Sequence, residues 1–233
     1  MQVGIIIPAR NEASALGRVL AEIPRALVRE TIVVDNGSTD GTAAVARQGG
    51  ARVVTEPIPG YGRACLAGLS ALSPSVDVVV FLDGDHSDDV AELPMLLAPI
   101  ARGEADVVIG SRVSRAEPGS LMLQQRLGNR LACWLIQRCF GVRYTDLGPF
   151  RAIRRRALES LDMQDRTYGW TVEMQAKAAA RGLKIAEIPV RYRPRIGRSK
   201  ISGTLQGTVQ AGIAILSTII RVALQPAVPA AQR

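Results

Sequence analysis

Four aspartates lie close together in the segment FLDGDHSDD, directly behind the apolar run VDVVV. Asp83 and Asp85 are separated by one glycine, and Asp88 and Asp89 follow. Like charges at this spacing repel one another unless a cation lies among them. Mg²⁺ and Mn²⁺ prefer oxygen ligands and usually keep substrate phosphates in their coordination shell. The sequence therefore predicts that Asp83 and Asp85 bind a divalent metal carrying a phosphorylated substrate. We expect Asp88 and Asp89 to cap the next helix, where negative charge is favourable.

The spacing of neighbouring residues excludes two other ligand-binding loops. An EF-hand loop beginning at Asp83 would need glycine where Asp88 stands and a bidentate glutamate where Pro94 stands. The segment PGYGRACLAG has Cys65 in place of the third glycine of a dinucleotide-binding loop, and it does not follow the first strand. We interpret His86, the single histidine, as a bystander, because carboxylates and phosphates satisfy Mg²⁺ or Mn²⁺ without imidazole.

The chain carries a net charge of +8 and has a pI near 10.1. Nine of its 29 cationic side chains fall in two short segments, RAIRRR at Arg151–Arg156 and RYRPRIGRSK at Arg191–Lys200. Such clusters favour anionic partners, namely nucleic acid, phosphorylated small molecules or an anionic membrane face. Aromatic residues make up only 4% of the chain, so stacking platforms for single-stranded nucleic acid are scarce. We therefore expect no nucleic-acid partner, although the second segment by itself fits nucleic-acid binding and a clamp over a diphosphate equally well.

The elements that must position these residues alternate in the first half of the chain. Helical patterns separate five apolar, β-branched runs, which are Val3–Ile7, Thr31–Asp35, Ala51–Thr55, Val76–Asp83 and Ala105–Gly110. Strand and helix alternating at this pitch predict an α/β fold with a mostly parallel sheet. Ligands bind such sheets beyond the carboxyl ends of the strands. The five runs are followed by the polar segments PARNE, DNGSTDG, EPIPGYG, DGDHSDD and SR, which should meet at one edge.

The second half of the chain is less regular. A helix is predicted over Gln124–Phe140, with Arg126 and Arg130 one turn apart, followed by YTDLGPFRAI, two further helices and the strand LKIAEIPVRY. We expect Trp134 and Trp170 in the core, and we interpret Glu173 as the architectural partner of a nearby arginine. No domain linker is evident.

The C-terminal segment is apolar along one side. The uncharged run Ile201–Ile220 contains too many Ser, Thr and Gln residues for a usual membrane span. We predict one domain over residues 1–202, an amphipathic helix over 203–225 that docks on the core or lies at a membrane surface, and a flexible tail over 226–233. The three cysteines are expected to be reduced core thiols. With no recognisable signal peptide, they favour a cytoplasmic protein, either free or bound peripherally at the cytoplasmic membrane face.

Seven motifs together resemble one enzyme family. IIPARNE, VVDNGSTDGT, FLDGD, VVIGSR, TDLGPFRAI, VEMQAKAAARG and IPVRYRPRIGRSK occur in the order found in family 2 glycosyltransferases of the GT-A fold. The chain looks most like the branch of dolichyl-phosphate mannose synthases and polyprenyl-phosphate glycosyltransferases. The resemblance covers about Val3 to Lys200 and implies a Rossmann-like central sheet flanked by helices.

The resemblance also implies a donor site. Family positions that hold the nucleoside match Pro8, Arg10, Glu12 and Asp35. The family's DxD motif matches Asp83-Gly84-Asp85, with the first carboxylate near ribose and metal and the second on Mg²⁺ or Mn²⁺. The basic loop that closes over the donor diphosphate matches Arg195, Arg198 and Lys200.

On the acceptor side, the resemblance implies that Arg112 and Arg126 meet the acceptor phosphate and that Asp146 is the candidate catalytic base. The chain departs from the family where LGPF replaces an SGF-like motif and where Ser87 occupies a possible third metal-contact position.

The expected reaction is inverting transfer of a sugar from a UDP- or GDP-sugar. A lipid-phosphate acceptor is already anionic, so Asp146 need only orient it, whereas a sugar hydroxyl would have to lose a proton. The cationic Arg112 and Arg126 favour the phosphate. Transfer to a soluble hydroxyl, sugar-phosphate nucleotidylyl transfer, and a basic module binding nucleic acid or anionic lipid are the alternatives.

Overall fold

One seven-stranded sheet, in the order β3-β2-β1-β4-β6-β5-β7, forms the centre of the molecule. The structure is a computed structural model that describes residues 1–197 and 205–225. The strands are β1 (Val3–Ala9), β2 (Glu30–Asp35), β3 (Arg52–Thr55), β4 (Val78–Phe81), β5 (Val107–Ser111), β6 (Arg151–Arg154) and β7 (Ile185–Pro189). Only β6 runs antiparallel to its neighbours, β4 and β5. The predicted α/β fold with a mostly parallel sheet is confirmed.

Helices cover both faces of this sheet. They are α1 (Ala13–Glu22), α2 (Thr42–Gln48), α3 (Tyr61–Ala71), α4 (Leu93–Ala101), α5 (Leu123–Phe140), α6 (Arg155–Leu161), α7 (Trp170–Ala180) and α8 (Leu205–Ala223), with a 3-10 turn at Val90–Glu92. Successive residues of a strand point to opposite faces. Accordingly, Ile6 packs in the core under α3, α5 and α7, while its neighbours Ile5 and Ile7 pack in the second core under α1 and α4. Burial on both faces explains why the central strands are continuously apolar.

Strand β6 is the element that the sequence analysis did not assign. It has four residues with arginine at each end, so it lacks both length and an apolar pattern. Arg151 is nevertheless fully buried, because its guanidinium donates to the carbonyl oxygens of Thr171 at 2.9 Å, Leu147 at 3.3 Å and Gly148. This buried cation therefore ties β6 to the loop before it and to the start of α7.

Helix α8 packs against α5 and α7. Ile219 and Val222 on this helix are buried, in agreement with docking on the core. Among the helices of residues 1–197 and 205–225, none is long and apolar enough to cross a bilayer. The predicted domain boundary at residue 202 and the tail over 226–233 lie outside the described residues.

Two core assignments from the sequence are wrong. Trp170 is buried as expected, but Trp134 is 55% exposed. Likewise Cys65 and Cys133 are buried free thiols, whereas Cys139 is exposed. Both errors fall on α5, whose buried side is narrow and includes Ala132 and Ile136.

We predict that Arg151→Met lowers the free energy of unfolding by about 3 kcal/mol, because it leaves several buried carbonyl oxygens without a donor. Urea denaturation followed by circular dichroism measures this. Arg156→Met is the matched control, since Arg156 lies on the same segment and is exposed. Equal stability of the two variants would contradict the prediction.

Candidate active site

A cavity of about 270 Å³ opens at the carboxyl ends of β1 and β4. We call it the aspartate cavity, and its lining residues include Pro8, Arg10, Glu12, Asn36, Gly60, Tyr61, Asp83, Asp85, Thr167, Tyr168 and Arg195. The structure thus brings together six of the residues predicted to bind the donor or metal. Asp35 is not in this lining. Its Oδ1 accepts a hydrogen bond from the Ser38 amide at 3.0 Å, and the next residue, Asn36, reaches the cavity instead. Arg198 and Lys200 lie outside the described residues.

The turn after β4 fixes the two aspartates of the DGD motif. Tyr61 donates its hydroxyl to Oδ1 of Asp83 at 3.1 Å. Oδ1 of Asp85 accepts from the amide of Ser87 at 2.9 Å and from the Ser87 hydroxyl. The serine therefore orients Asp85, and its hydroxyl is engaged in doing so.

Asp88 and Asp89 do not cap the following helix, contrary to expectation. The buried Asp88 accepts the Asp83 amide at 3.2 Å and so belongs to the acidic cluster itself. Asp89 precedes the 3-10 turn without a side-chain cap and pairs with Arg193 at 3.0 Å. Arg193 lies far from Asp89 in the sequence, so no local pattern predicts this pairing.

Arg195 supplies a positive charge among these acids. Its Nη2 lies 3.0 Å from Oδ2 of Asp85 and 3.5 Å from Oε1 of Glu12. Backbone hydrogen bonds hold its segment along the DGD turn, from the Ile196 amide to the Asp85 carbonyl at 2.9 Å and from the Arg193 amide to the Ser87 carbonyl at 2.8 Å.

The aspartates beside Asp85 remain poorly compensated. Burial and the neighbouring Asp85 raise the pKa of Asp83 to about 7. Burial, with the charges of Asp83 and Asp85, raises the pKa of Asp88 well above its usual range. Oδ1 of Asp88 is also buried and has no hydrogen-bond partner among the residues that the structure describes. An all-oxygen set short of positive charge fits a hard divalent cation.

Protein side chains alone do not complete a metal cage here. Over residues 1–197 and 205–225, no group of three or more His, Cys, Asp or Glu side chains is arranged to hold an ion. Mg²⁺ and Mn²⁺ sites that serve nucleotides usually have one or two carboxylates and take phosphate oxygens as further ligands. Asp83 and Asp85 fit that type of site. His86 pairs with Glu22 at 2.9 Å and is not in the lining of the aspartate cavity.

A larger cavity of about 630 Å³ lies between α5, α8 and the segment 145–147. We call it the arginine cavity, and its lining residues include Arg112, Leu123, Arg126, Leu127, Arg130, Thr145, Asp146, Thr171 and Ile215. The two arginines predicted to meet an acceptor phosphate are therefore in one cavity with Asp146. Arg130, one turn along α5 from Arg126, adds a third cation.

Asp146 is bound tightly by Arg112. Its Oδ2 accepts from the Arg112 amide at 2.8 Å and from Nε at 2.7 Å, and its Oδ1 accepts from Nη2 at 2.8 Å and from the Leu147 amide at 2.8 Å. Burial by itself would raise the pKa of Asp146, but the Arg112 guanidinium and these hydrogen bonds hold it below its usual range. These hydrogen bonds fix the position of the Arg112 guanidinium. The role of Asp146 as a base stays a prediction.

Tyr192 connects the two cavities. Its ring lies 5.0 Å from the guanidinium carbon of Arg112, within the range of a cation–π interaction. Its backbone forms an isolated antiparallel bridge with Asp88. Tyr192 therefore contacts Arg112 of the arginine cavity with its ring and Asp88 of the acidic cluster with its backbone.

Comparison with known proteins identifies the family. The profile described as glycosyl transferase family 2 matches residues 4–162. The chain belongs to this family. It is 40% identical over 216 residues to an uncharacterised glycosyltransferase of Mycobacterium tuberculosis, covering 92% of this chain and 94% of the relative. It is 35% identical over 228 residues to a dolichyl-phosphate hexose transferase of Haloferax volcanii, covering 96% and 94%.

Solved structures are similar over almost the whole chain. Glucosyl-3-phosphoglycerate synthase from M. tuberculosis, in complex with Mn²⁺, UDP-glucose and phosphoglyceric acid, has a TM-score of 0.78 and 27% identity. The match covers 97% of this chain and 80% of that protein. The predicted GT-A fold and glycosyltransferase class are confirmed.

Several residues that line the aspartate cavity were not predicted, although for one of them the sequence did contain an indication. Tyr61 belongs to EPIPGYG, the polar segment after β3, which the sequence analysis set aside as a rejected nucleotide loop. For Thr167 and Tyr168 the sequence contained no such indication, because their loop is fixed by partners far away in the sequence.

The buried Glu173 accepts the amides of Gln164 at 3.0 Å and Asp165 at 2.7 Å and pairs with Lys177 at 2.9 Å. This agrees with its interpretation as an architectural residue.

We predict that Mn²⁺ raises the melting temperature more at pH 8 than at pH 6. The pKa of Asp83 in the folded protein, about 7, exceeds the value near 3.9 of an unfolded aspartate. Between about pH 4 and pH 7 the unfolded chain has released this proton while the folded protein still holds it. Without metal, the free energy of unfolding therefore falls as the pH rises through that range. Below pH 7 the cation must also displace the Asp83 proton.

Differential scanning fluorimetry with Mn²⁺ and with EDTA at both pH values provides the measurement. Asp83→Asn removes the titrating group and is expected to lose most of the metal response at both pH values. An equal response of the wild type at pH 6 and pH 8 would contradict the assignment.

Proposed function

We propose that this protein transfers a sugar from a nucleoside-diphosphate sugar to the phosphate of a polyprenyl-type lipid. The observation that carries the proposal is the composition of the arginine cavity. Arg112, Arg126 and Arg130 line it together with apolar residues such as Leu127 and Ile215. Cations match a phosphate group, and apolar walls match the hydrocarbon chain attached to it. The name of the H. volcanii relative, a dolichyl-phosphate hexose transferase, supports the same acceptor class.

The aspartate cavity takes the donor in this proposal. Pro8, Arg10 and Glu12 contact the nucleoside with Asp35 behind them, while Asp83 and Asp85 hold Mg²⁺ or Mn²⁺. When bound, the metal neutralises the diphosphate as it leaves. The mycobacterial synthase crystallised with Mn²⁺ and UDP-glucose supports this use of the site.

Arg195 has two roles in this scheme. It pairs with Asp85, and with a donor bound its guanidinium would also supply positive charge to the diphosphate. The predicted contributions of Arg198 and Lys200 to the same clamp are part of the proposal.

The proposed reaction is a single displacement with inversion. An acceptor phosphate oxygen donates its electron pair to the anomeric carbon, forming the new C–O bond. The bond from that carbon to the donor diphosphate breaks, and its electron pair leaves with the nucleoside diphosphate. The attacking oxygen of an ionised phosphate carries no proton, so its attack requires no general base.

Asp146 then acts by position. Four hydrogen bonds to its carboxylate, three of them from Arg112, hold the guanidinium where the acceptor phosphate would bind. A carboxylate with lowered pKa and both oxygens engaged is poorly suited to removing a proton from a hydroxyl. This favours the phosphate acceptor over the hydroxyl alternative.

A soluble phosphorylated acceptor is the second candidate. The similar mycobacterial synthase was crystallised with phosphoglyceric acid, whose phosphate would also suit the three arginines. The apolar wall of the cavity has no use in that case. Activity on a polyprenyl phosphate without activity on phosphoglyceric acid separates the two.

Donor binding is expected to require both the metal and Asp85. Titration calorimetry with UDP-glucose and with GDP-mannose should give heat for one donor with Mn²⁺ and none with EDTA. Asp85→Ala should weaken that binding at least tenfold, because it removes a metal ligand. His86→Ala is the matched control on the same turn. Metal-independent binding that survives Asp85→Ala would contradict the proposal.

Acceptor binding is expected to depend on Arg126. Arg126→Gln should raise the KM for a short-chain, water-soluble polyprenyl phosphate about thirtyfold, since a charge-assisted hydrogen bond to phosphate is lost. The KM for the donor should not change. Arg138→Gln is the control, because Arg138 lies on the same helix, is exposed and does not line the cavity. Equal effects of the two substitutions would contradict the assignment.

A further inference from the structure

Helix α5 presents its large apolar side chains to solvent. Leu123 is 71% exposed, Leu127 57%, Leu131 47% and Trp134 55%. Their spacing of four, four and three residues places them along one side of the helix, over about 16 Å. The opposite side packs into the core through Ala132, Cys133 and Ile136. We call the four exposed residues the α5 stripe. Side chains of this size lose favourable free energy when they stay in water.

Positive charge surrounds the α5 stripe. Arg126, Arg130 and Arg138 are exposed on the same helix, and α5 contains no acidic residue. The segment from residue 118 to residue 145 has none either. An apolar stripe on a helix whose charged residues are all arginines matches an anionic lipid surface, where the side chains enter the acyl boundary and the cations meet the headgroups.

The α5 stripe continues into the arginine cavity. Leu123 and Leu127 belong to both, and so the cavity is open beside the stripe. Arg126 and Arg130 likewise belong to the helix and the cavity. A lipid phosphate leaving a bilayer in contact with the stripe would meet these cations directly.

We infer that the α5 stripe docks the protein on an anionic bilayer and turns the arginine cavity toward the lipid. The inference rests on the proposed lipid acceptor, and it assigns membrane contact to α5 rather than to the C-terminal helix alone. A protein partner, such as a second copy of this chain, would not require a helix free of acidic residues. Charge complementarity therefore selects the membrane.

Vesicle flotation without donor or acceptor tests the docking. The wild type should float with vesicles of phosphatidylcholine and phosphatidylglycerol, bind phosphatidylcholine alone more weakly, and detach at high salt. Leu131→Gln combined with Trp134→Gln should lower the partition coefficient about a hundredfold, or roughly tenfold per side chain. Neither residue lines the arginine cavity. Leu27→Gln with Met95→Gln is the matched control, since these residues are 43% and 45% exposed on other elements.

Tryptophan fluorescence provides a second readout on the folded protein. The chain has two tryptophans, of which Trp170 is buried, so a blue shift on adding anionic vesicles reports Trp134. Trp134→Phe should keep vesicle binding and abolish the shift. The inference is overturned if the wild type does not bind vesicles or if Leu131→Gln with Trp134→Gln binds equally well. It is also overturned if these substitutions instead dissociate a dimer seen by analytical ultracentrifugation while no vesicle binding occurs.

Activity separates this inference from the proposed function. The variant with Leu131→Gln and Trp134→Gln should retain wild-type turnover on a short-chain, water-soluble polyprenyl phosphate and lose activity on a long-chain substrate in vesicles. Donor-dependent activity with failed vesicle binding would overturn the docking alone. Vesicle binding without activity on any polyprenyl phosphate would instead overturn the proposed acceptor.

Discussion

The charge repulsion among carboxylates at the end of β4 is the constraint around which this molecule is organised. Asp83, Asp85 and Asp88 all follow the end of the buried strand β4, and burial strengthens their mutual repulsion. Neighbouring groups compensate part of the charge on Asp83 and Asp85. Tyr61 comes from the start of α3, Ser87 from the same turn, and Arg195 from the segment after β7. The compensation is incomplete, and the raised pKa values of Asp83 and Asp88 record the remaining deficit.

The antiparallel strand of the sheet carries a second buried charge. Strand β6 lies between β4 and β5 and carries Arg151, which holds the carbonyls just after Asp146. Asp146 in turn holds Arg112 at the end of β5. The buried Arg151 on β6 and the partly buried Arg112 at the end of the neighbouring strand β5 are thus linked through the segment 146–148. Tyr192 contacts Arg112 with its ring and Asp88 with its backbone, so it lies beside both charged groups.

The sequence predicted what depends on local pattern. Five strands, the helices between them and the polar segments at the strand ends followed from periodicity, and the DGD turn followed from its own spacing. The failures occur where a polar side chain chooses its partner, because hydrophobic periodicity does not show that choice. Asp88 accepts the amide of Asp83 in its own turn instead of capping the next helix. Arg151 is buried because it donates to carbonyl oxygens of the loop before β6 and of Thr171 at the start of α7.

Trp134 shows a different limit, and it bears on function. A helix with leucines and a tryptophan at helical spacing is normally assigned to a core, because burial is the usual reason for such a pattern. In α5 the core contacts are made by Ala132, Cys133 and Ile136, and the four residues of the α5 stripe face outward. The spacing of apolar residues shows that one side of a helix is apolar, but it does not show whether that side meets the protein core, a partner or a membrane. The charged residues of α5 are three arginines and no acid, which matches an anionic lipid surface. By this inference the stripe meets the bilayer, while the arginines of the cavity meet the phosphate of the proposed lipid acceptor.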